Sequence, residues 1–240
     1  MKPVHREENT FRVLSSDLLE TDSEQLIRLL EDRAMQSGAI ALDFSDTQLV
    51  ALRERDAAFA DLTRCLDLLV PASWPLIWAM KRRGSVLKSP IDKSIFMRSF
   101  LSQTTPDFRH YFIGESEECN NRLRERLLKQ NPDIDAVGFF HGTCSAAGYL
   151  QPSEVHDAII EELREKAPHF IWVGLATPKR YGLISNLKRQ LHSGILLSVG
   201  SAFEANAGMR QRAPLPKRFL GASLKNTAWF FFRVLSKASR

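Results

Sequence analysis

Short apolar runs alternate along this chain with stretches whose hydrophobic positions recur every three to four residues, and the two periods predict different elements. After a polar leader of about ten residues, residues 11–14 predict a strand. Thr21-Asp22-Ser23-Glu24 reads as a capping box opening a helix with Ile27, Leu30 and Ala34 on one face, ended by Gly38. A buried strand is expected at 39–44, helical sequence from Asp46 to about Cys65, and an apolar run at 66–70 stopped by Pro71. Strands are predicted again at 108–113, 134–140, 170–175 and 195–199, and helices at 115–129, 153–166 and 178–191. The helix at 153–166 carries its acids Glu154 and Asp157 first and its cations Arg164 and Lys166 last, which suits the helix dipole. Continuous apolar strands between amphipathic helices predict an α/β fold: a doubly wound, mostly parallel sheet with helices on both faces. The expected organisation is one α/β domain over residues 1–208 and a basic, aromatic C-terminal helical appendage over 209–240.

The 240 residues, 44% hydrophobic and 25% charged, are enough to bury a core without metal or disulfide staples. Three cysteines, Cys65, Cys119 and Cys144, form no Cys-x-x-Cys pair, which favours a reducing compartment. No run reaches the roughly 20 apolar residues of a membrane span, and the first residues lack a signal peptide's apolar core, so a cytoplasmic location is expected. The net charge of +5 is uneven. No acid follows Glu204, while Arg210, Arg212, Lys217, Arg218, Lys225, Arg233, Lys237 and Arg240 do, so the basicity belongs to the tail.

Ligands of such folds bind beyond the carboxyl ends of the strands. Of the loops expected there, Gly174 to Arg180 is the most informative. A strand ends in Gly174, Thr177 can cap, Pro178 fits the first helical position, and Lys179 and Arg180 place cations beside exposed helix N–H groups. This suits a diphosphate, and it also suits an ordinary strand-to-helix turn. Gly114-Glu115-Ser116-Glu117-Glu118 is similar but its carboxylates would repel a phosphate. No Gly-x-Gly-x-x-Gly or P-loop motif occurs. Asp133-Ile134-Asp135 has the spacing of a metal-holding Asp-x-Asp but enters a strand at its amino end, where turn residues are expected, and no metal site is read from the sequence. His141 and Cys144 follow a strand as a nucleophile pair could, with no third member placed.

In the tail, Leu224, Ala228, Phe231, Phe232 and Leu235 share a helical face, with Lys225, Trp229, Phe230 and Arg233 around it. Aromatic rings beside cations suit a membrane interface, and equally a terminal helix docked on the domain. No nucleic-acid-binding motif accompanies the basic residues.

Over roughly residues 11–235 the chain resembles the WecG/TagA/CpsF glycosyltransferases. Phe170-Ile171-Trp172-Val173-Gly174-Leu175-Ala176-Thr177-Pro178-Lys179 is similar to the family's strand followed by Gly-Leu-Gly-x-Pro-Lys-Gln-Glu. Ser198-Val199-Gly200-Ser201-Ala202-Phe203-Glu204-Ala205-Asn206-Ala207-Gly208 is similar to Gly-Val-Gly-x-x-Phe-Asp-x-x-Ala-Gly, and Arg212-Ala213-Pro214 follows at the family's spacing. The resemblance implies a Rossmann-like fold and transfer of a hexose or N-acetylhexosamine-type sugar, typically N-acetylmannosamine, from a UDP-sugar to an undecaprenyl-diphosphate-linked acceptor. The work would be done at the cytoplasmic face of the inner membrane, in cell-surface polysaccharide synthesis, without cofactor or required metal. It implies donor binding by Gly174, Thr177, Pro178, Lys179, Arg180, Gly200 and Glu204. It implies membrane or acceptor contact by Arg212, Lys217, Arg218, Lys225, Trp229 and Arg233. Homo-oligomerisation is left open.

The departures are chemical. Phe44-Ser45-Asp46 stands where the family has Thr-x-Asn, and Pro71-Ala72-Ser73 where it has Pro-Asp-Gly, whose Asp is the proposed general base. The family's Arg-Val-x-Gly-x-Asp becomes Pro90-Ile91-Asp92-Lys93-Ser94-Ile95, and Gln-Glu after Pro-Lys becomes Arg180-Tyr181. Asp46, following a strand, is the nearest replacement base, ahead of Asp92 and Glu204. The alternative is a catalytically degenerate member that binds nucleotide sugar or serves assembly.

Overall fold

The structure, a computed structural model, describes residues 9–141, 154–209 and 217–238, the helical residues 154–157, 217–224 and 237–238 in backbone only. An antiparallel hairpin, β1 (Thr10–Val13) and β2 (Ser16–Leu19), precedes α1 (Ser23–Ala34). There follow β3 (Ile40–Ser45), α2 (Thr47–Arg55), α3 (Ala57–Leu62), a 3-10 turn at Thr63–Cys65, β4 (Leu68–Pro71), α4 (Trp74–Lys81) and α5 (Lys93–Gln103). The second half runs β5 (Arg109–Gly114), α6 (Glu117–Gln130), β6 (Asp135–His141), α7 (Glu154–Lys166), β7 (Phe170–Val173), α8 (Lys179–Gln190), β8 (Ile195–Ser198), α9 (Ala202–Asn206) and α10 (Lys217–Ala238).

Six strands form one sheet in the order β4-β3-β8-β7-β5-β6, and every pairing in it is parallel. The pleat sends alternate side chains to opposite faces, and both faces are apolar. Ile171 and Val173 of β7 join Tyr111, Ile113 and Leu196 in a core covered by α2, α4, α7, α8 and α10. Phe170 and Trp172 join Leu42, Phe44, Phe112 and Leu197 in a second core covered by α1, α5, α6 and α9. Continuous apolar strands are the consequence of this double coverage.

Several local expectations shift. The capping box belongs to Asp22 and Gln25, one residue later than Thr21 and Glu24. The expected long helix from Asp46 breaks at Asp56, whose extended backbone both ends α2 and caps α3. Pro178 is the N-cap of α8 rather than its first helical residue, so the cap position does not fall to Thr177. In α10 the docked residues are Phe230 and Val234, while Phe232 and Leu235 stay exposed. The tail therefore packs through a face next to the one its spacing suggests, against α2 and α4.

Candidate functional site

The connections β3 to β4 and β7 to β8 step toward one edge of the sheet and β5 to β6 toward the other. A crevice is thus expected at the carboxyl ends of β7 and β5, where the winding reverses. Gly174 continues β7 by donating its N–H to the Ile113 carbonyl at 2.8 Å, and the Ala176 N–H donates to Glu115 Oε1 at 2.7 Å, tying the two loops together. Gly174 is required because a Cβ there would run into the buried Phe203 side chain.

Two strands over from β7, β3 carries a carboxylate in its middle. Asp43 is 1% exposed and is the register partner of Ser198 on β8. A buried carboxylate must be met by donors and positive charge. Its Oδ1 accepts from the Ser198 hydroxyl and from Tyr181 Oη at 3.3 Å, and its Oδ2 from Ser45 Oγ at 3.3 Å. Arg180 Nη2 lies 3.7 Å from Oδ1 and donates to Tyr181 Oη at 2.7 Å. The guanidinium stacks over the Tyr181 ring, 4.7 Å from its centre. Its Nη1 occupies the space a side chain at Gly200 would need, and Gly200 also has φ 50°, so two constraints hold that glycine. Arg180 is 14% exposed, and its buried Nε has no partner among the described residues. Burial pushes the Asp43 carboxyl above its usual range, with Arg180, Ser198 and Lys93 pulling it back; burial and the Asp43 charge raise the Tyr181 phenol.

The donor-binding residues of the sequence reading converge in part. Lys179 and Arg180 open α8, Gly174 ends the strand before it, Gly200 donates its N–H to the Val173 carbonyl at 3.0 Å just before α9, and Glu204 lies within α9. Asp46 sits exposed at the carboxyl end of β3, where one oxygen caps α2 by accepting from the Leu49 N–H at 2.9 Å. Ala72, beyond β4, bonds through its N–H to the Ser45 carbonyl and brings no acid. Of the tail residues, Trp229 and Arg233 are not brought to this crevice. Arg55 on the last turn of α2, at the helix end away from the crevice, bonds to Asn226 and lies over Trp229. Arg233 pairs with Glu54 at 3.6 Å on the same turn. Lys225 is exposed, only the backbone is described at Lys217 and Arg218, and Arg212 lies outside the described residues, as does Cys144. The buried thiol of Cys119 is pushed up to about 11 by burial and by Glu204 and Glu115, which keeps it a neutral thiol. Among the described residues, no three His, Cys, Asp or Glu side chains are grouped to hold a metal ion.

Asp43, Ser198 and Tyr181 were missed as site residues. The available signal was an acid inside the apolar run Ile40-Ala41-Leu42-Asp43-Phe44, which in a doubly covered strand must be buried and paired.

Two relatives, from Staphylococcus aureus strains MRSA252 and NCTC 8325, are both named N-acetylglucosaminyldiphosphoundecaprenol N-acetyl-beta-D-mannosaminyltransferase. Each is 25% identical to the chain over 121 residues, 50% of this chain and 42% of the relative. The match thus spans less than half the length of those relatives. The glycosyl transferase WecG/TagA/CpsF family model matches residues 11–235, from β1 into α10. With that match across the whole parallel sheet and its crevice, the chain belongs to the WecG/TagA/CpsF family of glycosyl transferases.

Proposed function

We propose that the protein is a glycosyltransferase of bacterial cell-surface polysaccharide synthesis, moving an N-acetylhexosamine-type sugar from a UDP-sugar to a lipid-linked acceptor. The observation that carries this reading is Arg180: a guanidinium, 14% exposed, set at the start of α8 beside the side-chain-free Gly200. Such a group, with Lys179 and the helix N-terminus, suits the diphosphate of a donor and the charge that develops on it as the glycosidic bond breaks. Asp46 is the base of this reading. It is exposed at the crevice end of β3 and uses one oxygen as a cap, leaving the other to accept the acceptor's hydroxyl proton. The names of the Staphylococcus aureus relatives support an N-acetylmannosaminyl group and a diphosphoundecaprenol acceptor.

Ala72 favours a second reading, nucleotide-sugar binding without turnover, because it leaves the end of β4 without a carboxylate. Titration with UDP and a panel of UDP-sugars, followed by transfer assays on Asp46→Asn, separates the two. Asparagine keeps the cap but cannot take a proton, so turnover should fall by about 10² to 10⁴ with donor affinity kept. Binding without any transfer selects the second reading, and no binding overturns both.

A further inference from the structure

We propose that Asp43 is the positioning residue for Arg180, holding its guanidinium in the one orientation that presents it to an anionic ligand at the carboxyl end of the sheet. The claim deepens the preceding reading and rests on it for the identity of the ligand, a nucleoside diphosphate.

A long arginine at a helix start has many rotamers, and fixing one costs conformational entropy that other contacts must offset. Here the restraints all lead to one carboxylate. Asp43 faces Nη2 directly at 3.7 Å, and Tyr181 Oη, which accepts from the same Nη2 at 2.7 Å, reaches Asp43 at 3.3 Å. Ser198 on β8 and Ser45 on β3 donate to the two carboxylate oxygens and fix them in the plane that meets Tyr181 and Arg180. The aromatic face below and Gly200 beside Nη1 complete the cradle. What remains for a ligand is the part of the guanidinium not turned toward Asp43 and Tyr181. Asp43 itself, 1% exposed and already taken up by three hydroxyl groups, acts through Arg180 rather than on the substrate.

Binding measurements give the idea a sign that charge alone would reverse. Replacing Asp43 by Asn removes a negative charge next to an anion site, so simple electrostatics tightens anion binding. Positioning predicts loosening. Calorimetric titration of the full chain with UDP, and separately with inorganic pyrophosphate, should show Asp43→Asn weakening both by about tenfold and Arg180→Ala by about tenfold to a hundredfold, the worth of a charge-assisted contact. The double variant should bind no more weakly than Arg180→Ala alone, because the first change acts only through the second residue. Tyr181→Phe, which keeps the ring but removes the bridging hydroxyl, should lose about threefold, and it serves if Asp43→Asn does not fold. Unchanged or tighter binding in Asp43→Asn, or additive losses in the double variant, overturns the proposal. Should the wild type bind neither ligand, the glycosyltransferase reading falls, and positioning is then decided without ligand. The Arg180 Nε–H should give a slowly exchanging NMR signal that is lost in Asp43→Asn; a signal kept in that variant overturns the proposal.

Discussion

His110 makes the fold sensitive to acid in a way that can be measured as a slope. The ring lies fully buried in β5, stacked on Phe170 at 5.3 Å and Trp172 at 6.2 Å, with Phe100 edge-on. Trp172 Nε1 donates to its Nδ1 at 3.1 Å, so the proton sits on Nε2, 3.0 Å from Thr104 Oγ1. A second proton would have to go on Nδ1, against the indole N–H, in a fully buried site. Burial first, then the neighbouring His169, lower the imidazole from 6.5 to about 3. The unfolded chain therefore binds a proton near pH 6.5 that the folded chain refuses until about pH 3. Stability from this group is complete above 6.5 and declines as pH falls through the window down to about 3. One proton's worth of linkage is about 1.4 kcal/mol per pH unit, which integrates to roughly 2 kcal/mol between neutral pH and pH 5. That is a sizeable fraction of a typical stability of about 5–15 kcal/mol. Urea unfolding at pH 7 and pH 5 for the wild type and His110→Gln isolates the effect, since carboxylates titrate alike in both. The variant starts lower, having lost an acceptor for Trp172, but its pH difference should be smaller by about 2 kcal/mol. Equal pH differences in the two proteins would refute the reasoning.

Two further outcomes test the packing of the crevice and the exposed side of the tail. Gly174→Ala forces a Cβ into the Phe203 side chain, both residues being buried, and should lower stability by about 1–3 kcal/mol; an unchanged urea midpoint rejects that fit. Phe232 and Leu235 remain exposed on α10 with Lys225 along the same helix, so the chain should sediment with anionic vesicles and be released by salt. Phe232→Ser with Leu235→Ser should abolish this, and sedimentation indifferent to both salt and the double change counts against a lipid-facing tail.

The sheet was legible because its strands are covered on both sides. Phe170–Val173 and Ile195–Ser198 carry almost no polar atom, and only a doubly covered parallel strand tolerates that. The same logic hid other elements. Trp74–Lys81 is apolar on nearly every side, so no stripe marks it as a helix, and the four-residue β2 is too short and too polar at its start to stand out. Phe230, Phe231 and Phe232 put a ring on each of three successive faces, so periodicity could not choose the docked one. The choice falls to the neighbours. Phe231 meets Trp78 at 5.1 Å, while Phe230 and Val234, four apart, reach the core.

The site was half legible for a related reason. Glycines and cations in the loops after β7 and β8 announce themselves, because a turn and a helix start constrain the local sequence. Compensation between distant positions does not. Read singly, Arg180-Tyr181 in place of the family's Gln-Glu looks like a loss of pattern, and an acid inside β3 looks out of place. In the structure the two touch: Asp43 is the counter-charge of Arg180, and Tyr181 bridges them. A cation only 14% exposed needs such a partner, since an unpaired charge at that depth is costly. Asp43 and Arg180, 137 residues apart in the chain, therefore make physical sense only together. Fold-bearing positions and the altered crevice residues obey one rule: whatever the doubly covered sheet buries must be apolar or meet a counter-charge or a hydrogen-bond partner.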